Sequence, residues 1–419
     1  MALSMSDELR MENPTQASAM TPRALLMLSA YLVLVTALVR LGTSLYLPAL
    51  PEMANALHLS AQQMASTMTV YLVGFALASI LLGPLSDHWG RRLLVQGGVA
   101  VFGIGSLLCA VAPGDELLIL GRILQSVGGA AVQVGTRAIT RDAFSDRQMI
   151  SVLGWIGVIT GLVPVLAPVL GGLLTQALGW ASNFYLLAGV TLLVAVLARG
   201  LAPETLAPED RMPLRLADTL GAYGRMLAAR DFMLPLLPVM LCFAVQGAYL
   251  VASPFVFIHL LGLSPALFGL TSLLLVGALL AGRLICMAVL RRGGDYAAFL
   301  AGALLAFVGG LASLALVLAH WGSALAILGA TSLFCVGFGA LLPVGMKAGL
   351  SAFPERVGTS SALYGCLTLG ATAVGSGLVG GLLQRSARDV DLLCLFTFAA
   401  ACLILLTTLL SRRSLQQVG

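Results

Sequence analysis

Long apolar runs separated by short polar breaks fill almost the whole chain. They fall at roughly 24–47, 62–84, 93–112, 117–140, 149–175 and 182–200. A polar segment from about 201 to 231 follows. Six more runs then occupy 233–258, 266–290, 297–319, 323–348, 358–383 and 391–411. A transmembrane helix needs about 20 apolar residues, and each run has that length. The runs are continuous rather than alternating ten-residue segments, which predicts helices and not barrel strands. The expected architecture is an all-α integral membrane protein of twelve transmembrane helices, six on either side of a linker. Its parts are a tail over 1–23, a first bundle over 24–200, the linker over 201–231, a second bundle over 232–411 and a tail over 412–419. One amphipathic helix is expected in the linker near 214–228.

Composition agrees with this pattern. The 419 residues are 59% hydrophobic and 10% charged, against about 45–50% and 25% in soluble domains. A secreted, nucleic-acid-binding or cytosolic protein is excluded on that ground. The placement of the 23 basic residues sets the orientation. With the N-terminus in the cytoplasm, 17 of them fall on the inner side and only Arg385 and Arg388 on the outer side. Such a bias predicts cytoplasmic termini and a multi-pass protein of a bacterial inner membrane. No small-residue cleavage site follows the first apolar run, which is expected to stay as a signal-anchor helix.

Familiar chemistries find no footing. The seven cysteines lie in apolar runs without metal-ligand spacing, as small buried hydrophobes do. No histidine pair suits a metal, and no Gly-x-x-x-x-Gly-Lys segment cradles a nucleotide. Neither a metal, a cofactor nor enzymatic activity is expected. Partners are a small-molecule substrate, the lipid bilayer and a proton, with no nucleic acid.

Three motifs point further. Between the second and third runs stands Gly83-Pro84-Leu85-Ser86-Asp87-His88-Trp89-Gly90-Arg91-Arg92. In the fourth run, Arg122-Ile-Leu-Gln125-Ser-Val-Gly128-Gly129 places an arginine inside the membrane. The fifth holds Gly161, Pro164, Pro168, Gly171 and Gly172, a stretch whose glycines and prolines make a pliable, closely packed helix. These resemble, in order, the G-x-L-x-D-R-x-G-R-[RK] loop, the R-x-x-Q-G-x-G segment and the antiporter stretch of the major facilitator superfamily. Leu45-Tyr46-Leu47-Pro48-Ala49-Leu50-Pro51, Thr140-Arg141-Asp142-Ala143-Phe144 and Ala252-Ser253-Pro254-Phe255-Val256-Phe257 are similar to the bicyclomycin/chloramphenicol-resistance (Bcr/CflA) branch of its twelve-span drug:proton antiporters. The resemblance implies two six-helix bundles around a midplane cavity, and a monomer. It makes the loop of Gly83, Asp87, Gly90, Arg91 and Arg92 a gate latch of the outward-facing state. Arg122 and Gln125 take a structural or coupling role.

The sequence departs from that branch at two places. His88 stands where the superfamily usually has Arg. Ser44 occupies the place of the branch's span-one acid, the residue thought to exchange protons. Of the 18 acids only Asp391 touches a run, as the first residue of the last one, and it is assigned to the outer loop. Arginines lie deeper: Arg40, Arg122, Arg137 and Arg283. The last two lie close enough to the inner ends to snorkel. Arginine keeps its proton in proteins, and a buried charge needs a partner. Arg40 is one helical turn from Ser44 and shares its face. Its fork suits a carboxylate or phosphate. The expected substrate is therefore an anionic or zwitterionic organic molecule, such as a carboxylate metabolite or carboxylate siderophore. Arg40, Thr43, Ser44, Tyr46, Gln133, Arg137, Gln246 and Tyr249 form the candidate substrate-binding set, with Tyr71 beside it.

The leading expectation is a secondary active transporter that exports such a solute by alternating access, with proton exchange. The proton would be carried by an outer-rim carboxylate or by the substrate. The alternatives are multidrug or antibiotic efflux of the bicyclomycin/chloramphenicol type and a facilitative uniporter or importer. A non-transporting sensor on the same fold is a further class.

Overall fold

The computed structural model describes residues 21–201, 204–206, 216–353, 357–384, 386 and 388–418. Within them the chain is helical. The first half holds α1 (Pro22–Ser44), the short α2 (Leu50–Ala56), α3 (Ala61–Trp89), α4 (Arg91–Ala110), α5 (Asp115–Ala143), α6 (Asp146–Leu178) and α7 (Ala181–Leu201). After α8 (Leu216–Ala228) come α9 (Arg230–Pro254), α10 (Pro265–Leu318), α11 (Ala324–Ser351), α12 (Val357–Gly380), α13 (Arg388–Leu410) and α14 (Arg412–Val418). Among the described residues, eleven helices are long and apolar enough to cross a membrane.

Local chemistry sets the breaks between helices. Ser60 and Gln63 form a capping box at the start of α3. Ser264 and Ser323 accept from the first-turn amides of α10 and α11, satisfying donors that a helix start leaves orphaned. Gly90 alone separates α3 from α4, with φ 101 and ψ 157, a region essentially reserved for glycine. Past Pro254 the chain of α9 widens into a π-helical turn over Phe255–Leu260.

Two expected spans differ from the sequence reading. The runs at 266–290 and 297–319 appear as one helical stretch of 54 residues. At 1.5 Å per residue that is about 80 Å, far beyond a hydrocarbon core of about 30 Å. Gly294, with φ 74 and ψ −177, breaks it. The arms 265–293 and 295–318 are joined through one glycine, as α3 and α4 are through Gly90. The linker differs too. The expected amphipathic helix is present as α8, but Tyr223 and Met226 are buried in the core of the second half. The start of the linker docks on the first half through Glu204. The expectations for 1–20 and for 207–215 lie outside the described residues.

Among the described residues, the closest contacts between the two halves gather toward one end. Call the end that carries Gly90, Glu204 and Gly294 the linker end, and the opposite one the far end. At the far end Gln62 donates to the Gly381 carbonyl at 2.7 Å, and the Thr69 and Ser376 hydroxyls meet at 2.8 Å. There, Ala248, Val251, Ala252, Phe255 and Val379 of the second half share one buried core with the first half. Gly269 of α10 lies so near Pro168 of α6 that a Cβ would meet the Pro168 carbonyl oxygen at 2.5 Å. Toward the linker end the same face of α6 opens. A Cβ at Gly161, Gly157 or Gly154 would meet nothing within 4 Å, and neither would one at Gly83 or Gly277. The halves are sealed at the far end and splayed at the linker end.

Candidate functional site

Arg122 is the largest fully buried side chain described. Helix α5 carries it into the first half, against α1 and α3. Its Nη1 donates to the Gly42 carbonyl at 3.1 Å and to Gln125 Oε1 at 2.7 Å. Its Nη2 donates to the Tyr46 hydroxyl at 3.1 Å. The guanidinium lies 4.2 Å from both the Tyr46 and Tyr71 ring centroids, within cation–π range of each. Gln125 in turn donates to the Ser106 hydroxyl at 2.8 Å. No carboxylate takes part among the described residues. The charge is held by a carbonyl, an amide, a phenol and two ring faces, which is how a buried cation avoids an unpaired state. Such a network ties α1, α3, α4 and α5 into one body.

Arg40 is treated differently. It is half-buried on α1, and among the described residues its guanidinium makes no hydrogen bond or ion pair. The ionisable groups close enough to feel its charge are Tyr71 on α3 and Arg137 on α5. Arg137 is exposed on α5, a helix that packs on α1. The Tyr71 ring lies against Arg122. Thr43 is half-buried and donates to the Arg40 carbonyl at 2.7 Å. Gln133 on α5 is half-buried one turn before Arg137.

Other members of the expected set are placed apart. Tyr46 is wholly buried beneath Arg122, with its hydroxyl on Met68 Sδ at 3.3 Å. It belongs to the Arg122 network and not to an accessible wall. Ser44 is 8% exposed, because the chain leaves the helix there and turns inward through Leu47–Ala49. Gln246 and Tyr249 are half-buried on α9 in the other half, Tyr249 against Phe257 with ring centroids 6.3 Å apart. Arg283 is exposed on α10.

At the linker end the gate loop is held by charge. Arg91 is 3% exposed and bridges Asp87 at 2.6 Å and Asp142 at 3.0 Å, with Ser86 accepting at 2.8 Å. Asp87 remains 45% exposed, and these bonds stay within the first half. Gly83 and Arg92 face open surroundings. Sequence reasoning missed Glu204. Its carboxylate accepts from the amides of Arg91 at 2.9 Å and Arg92 at 3.3 Å, and from those of Thr205 and Leu206 at 3.1 Å. Gly90 offers no side-chain cap for α4, so Glu204 supplies one from 113 residues away. An acid just past an apolar run carries no sequence signal for that pairing. The second half repeats the arrangement with the charges exchanged. Asp295, directly after Gly294, pairs with Lys347 near the end of α11 at 2.6 Å.

The α6 motif makes two kinds of contact. Gly171 packs within the first half, against the Leu45 carbonyl and Asn183. Gly172 faces the other half, against the Pro265 carbonyl at the start of α10. Pro164 and Pro168 continue that face, and Gly161 ends it in open space.

A sequence model described as Major Facilitator Superfamily matches residues 32–376. "Uncharacterized MFS-type transporter YdgK" of Bacillus subtilis (strain 168) is 31% identical over 350 residues, 81% of this chain and 85% of that protein. "Multidrug resistance protein MdtL" of Salmonella heidelberg (strain SL476) is 32% identical over 77% of this chain and 80% of that protein. Among solved structures, a bacterial homologue of the human lysosomal transporter Spinster, inward-facing and unoccupied, superposes with a TM-score of 0.73. The two are 15% identical, over 97% of this chain and 99% of that one. A D-xylose-proton symporter gives 0.69 at 15% identity, over 90% and 97% of the two chains. Both structures carry the same fold.

Proposed function

The chain belongs to the major facilitator superfamily, and from that premise we propose that it exports a small organic anion or zwitterion by alternating access. It is a multi-pass transporter of the bacterial inner membrane and not an enzyme. The finer reading begins with orientation. The inner bias of basic residues makes the linker end cytoplasmic and both termini cytoplasmic. Gly294 answers to Gly90 as the joint between consecutive spans, which gives twelve. The sealed far end is then periplasmic, and the conformation is inward-open. The working unit is a monomer.

One observation carries the substrate class: Arg40, a permanent cation half-buried on α1, has no acceptor among the described residues, and a second cation, Arg137, stands on the neighbouring α5. Two permanent cations repel, and an anion between them relieves both. A carboxylate accepts bidentately from such a guanidinium fork. Thr43 and Gln133 add neutral polar contacts, and Gln246 and Tyr249 offer the wall from the other half. A carboxylate metabolite or a carboxylate siderophore fits that description.

The test is accumulation of aromatic and aliphatic carboxylates in cells with and without the gene, repeated with Arg40→Gln. Export that disappears in the variant supports the reading. Export of every carboxylate left intact by Arg40→Gln refutes it.

A second reading, multidrug efflux by proton antiport, is favoured by the name of the MdtL relatives and by the motifs that resemble the bicyclomycin/chloramphenicol branch. Resistance to cationic and neutral drugs, unaffected by Arg40→Gln, would select it.

A further inference from the structure

We infer that transport is electrogenic: the substrate's negative charge crosses without a counter-moving proton, and the inside-negative membrane potential drives it outward. This rests on the anion reading above.

The charges near Arg40 are of kinds that do not change. Arg40 and Arg137 cannot lose their protons in any physiological range. Tyr71, the other ionisable group near Arg40, is a phenol that stays protonated at neutral pH. Helices α5, α6 and α7 are the ones packed on α1. From 148 to 198, α6 and α7 contribute only Tyr185 as an ionisable residue, and it is exposed on the outer surface. On α5, Arg122 is locked in its own network.

The carboxylates sit elsewhere, and each described below already has a structural partner at a helix end. Glu52 accepts from the Trp180 amide at 3.1 Å, and Asp115 from Gln63 Nε2 at 3.1 Å. Asp389 accepts from the Gln384 amide at 2.9 Å. Asp87 and Asp142 hold Arg91, and Asp295 holds Lys347. Among the described residues, then, no group on the helices around Arg40 exchanges a proton near neutral pH. What moves across the field is the charge of the cargo.

The consequence is quantitative. One elementary charge gains about 2.3 kcal/mol per 100 mV. A monoanion would be driven to an outward ratio of roughly 50-fold per 100 mV, or about tenfold per 60 mV. A bacterium could expel such a solute against a gradient with no proton entering.

The full chain reconstituted in liposomes tests this with three radiolabelled probes: an aryl sulfonate, an aryl carboxylate and an aryl phosphonate. The sulfonate stays ionised across the pH range used. Valinomycin with a potassium gradient sets an inside-positive potential at equal pH on both sides. Expected is uptake of at least one probe that rises about tenfold per 60 mV of potential, with no response to an imposed pH gradient. A uniporter runs in either direction, so mixed insertion does not blur the result. Uptake that follows the pH gradient, collapses with nigericin and ignores the potential would overturn the inference and leave the anion reading standing. Failure to transport any of the three anions would overturn both.

Discussion

Gly171 and Gly172 are neighbours in sequence, yet a methyl group on each should fail in a different way. At Gly172 a Cβ would overlap the Pro265 carbonyl oxygen and lie 2.6 Å from the carbonyl carbon. Both atoms are backbone at the start of α10, so no rotamer change relieves the clash. Overpacking of this kind costs about 1–3 kcal/mol. The contact joins the two halves and exists only while the far end is sealed. Gly172→Ala should therefore penalise the sealed conformer alone and shift the equilibrium toward the far-end-open one by roughly 5- to 150-fold. At Gly171 the methyl would overlap the Leu45 carbonyl and press on Asn183 Oδ1 at 3.1 Å. Those partners belong to the same half and travel with it. Gly171→Ala should cost a similar amount in both conformers and leave their ratio alone. Ser376 reports the difference, because it is fully buried at the far-end seam against Thr69. In a Ser376→Cys background, a membrane-impermeant thiol reagent applied from the periplasm should react faster with Gly172→Ala by that factor. With Gly171→Ala its rate should be unchanged, while the melting temperature in detergent falls. Equal acceleration in both variants, or none in Gly172→Ala, would refute the assignment of these glycines to two different seams.

Other substitutions follow from the same geometry. Arg122→Lys keeps the charge but cannot serve Gly42, Gln125 and Tyr46 together, and it loses a planar stack between two rings. A loss of about 2–3 kcal/mol is expected, read as a lower unfolding midpoint. Gly90→Ala and Gly294→Ala each force a side chain into a region that glycine alone occupies, at about 1–3 kcal/mol; equal midpoints for wild type and variants would contradict the hinge role. Glu204→Ala removes the remote cap of α4 and should cost about 1 kcal/mol. It should raise hydrogen exchange at the Arg91 and Arg92 amides while protection in the core of α11 stays unchanged.

The sequence made the membrane class, the helix runs and the three motifs legible because each depends on local composition or fixed spacing. Apolar length alone predicts a span, and the order of Gly83–Arg92, Arg122–Gly129 and Gly161–Gly172 is written in one dimension. What stayed hidden depends on distance along the chain. Glu204 looks like a solvated linker acid until the fold returns it to Arg91. Tyr46 looks like a cavity aromatic, because it stands two residues from Ser44 at the end of an apolar run. Its ring is instead wholly buried against the Arg122 guanidinium. Gly294 illustrates the opposite case. Its neighbours read as a break between two runs, while the backbone continues helically on both sides and bends only at that residue.

The arginines show best how depth and partners change the meaning of one residue type. Arg91, Arg122 and Arg40 are all guanidiniums in or beside apolar helices, and composition cannot tell them apart. Arg91 has two carboxylates and is a fastener. Arg122 has none, but five neutral groups surround it and it is a strut. Arg40 has no acceptor among the described residues, and another cation, Arg137, stands on the neighbouring helix. A like-charged pair held open by a rigid strut is costly unless something negative enters. The Arg122 network ties α1, α3 and α5 together, and Arg40 and Arg137 stand on two of those helices. Loosening it by Arg122→Lys should weaken anion binding without touching the anion, whereas Arg40→Gln removes the binding charge itself.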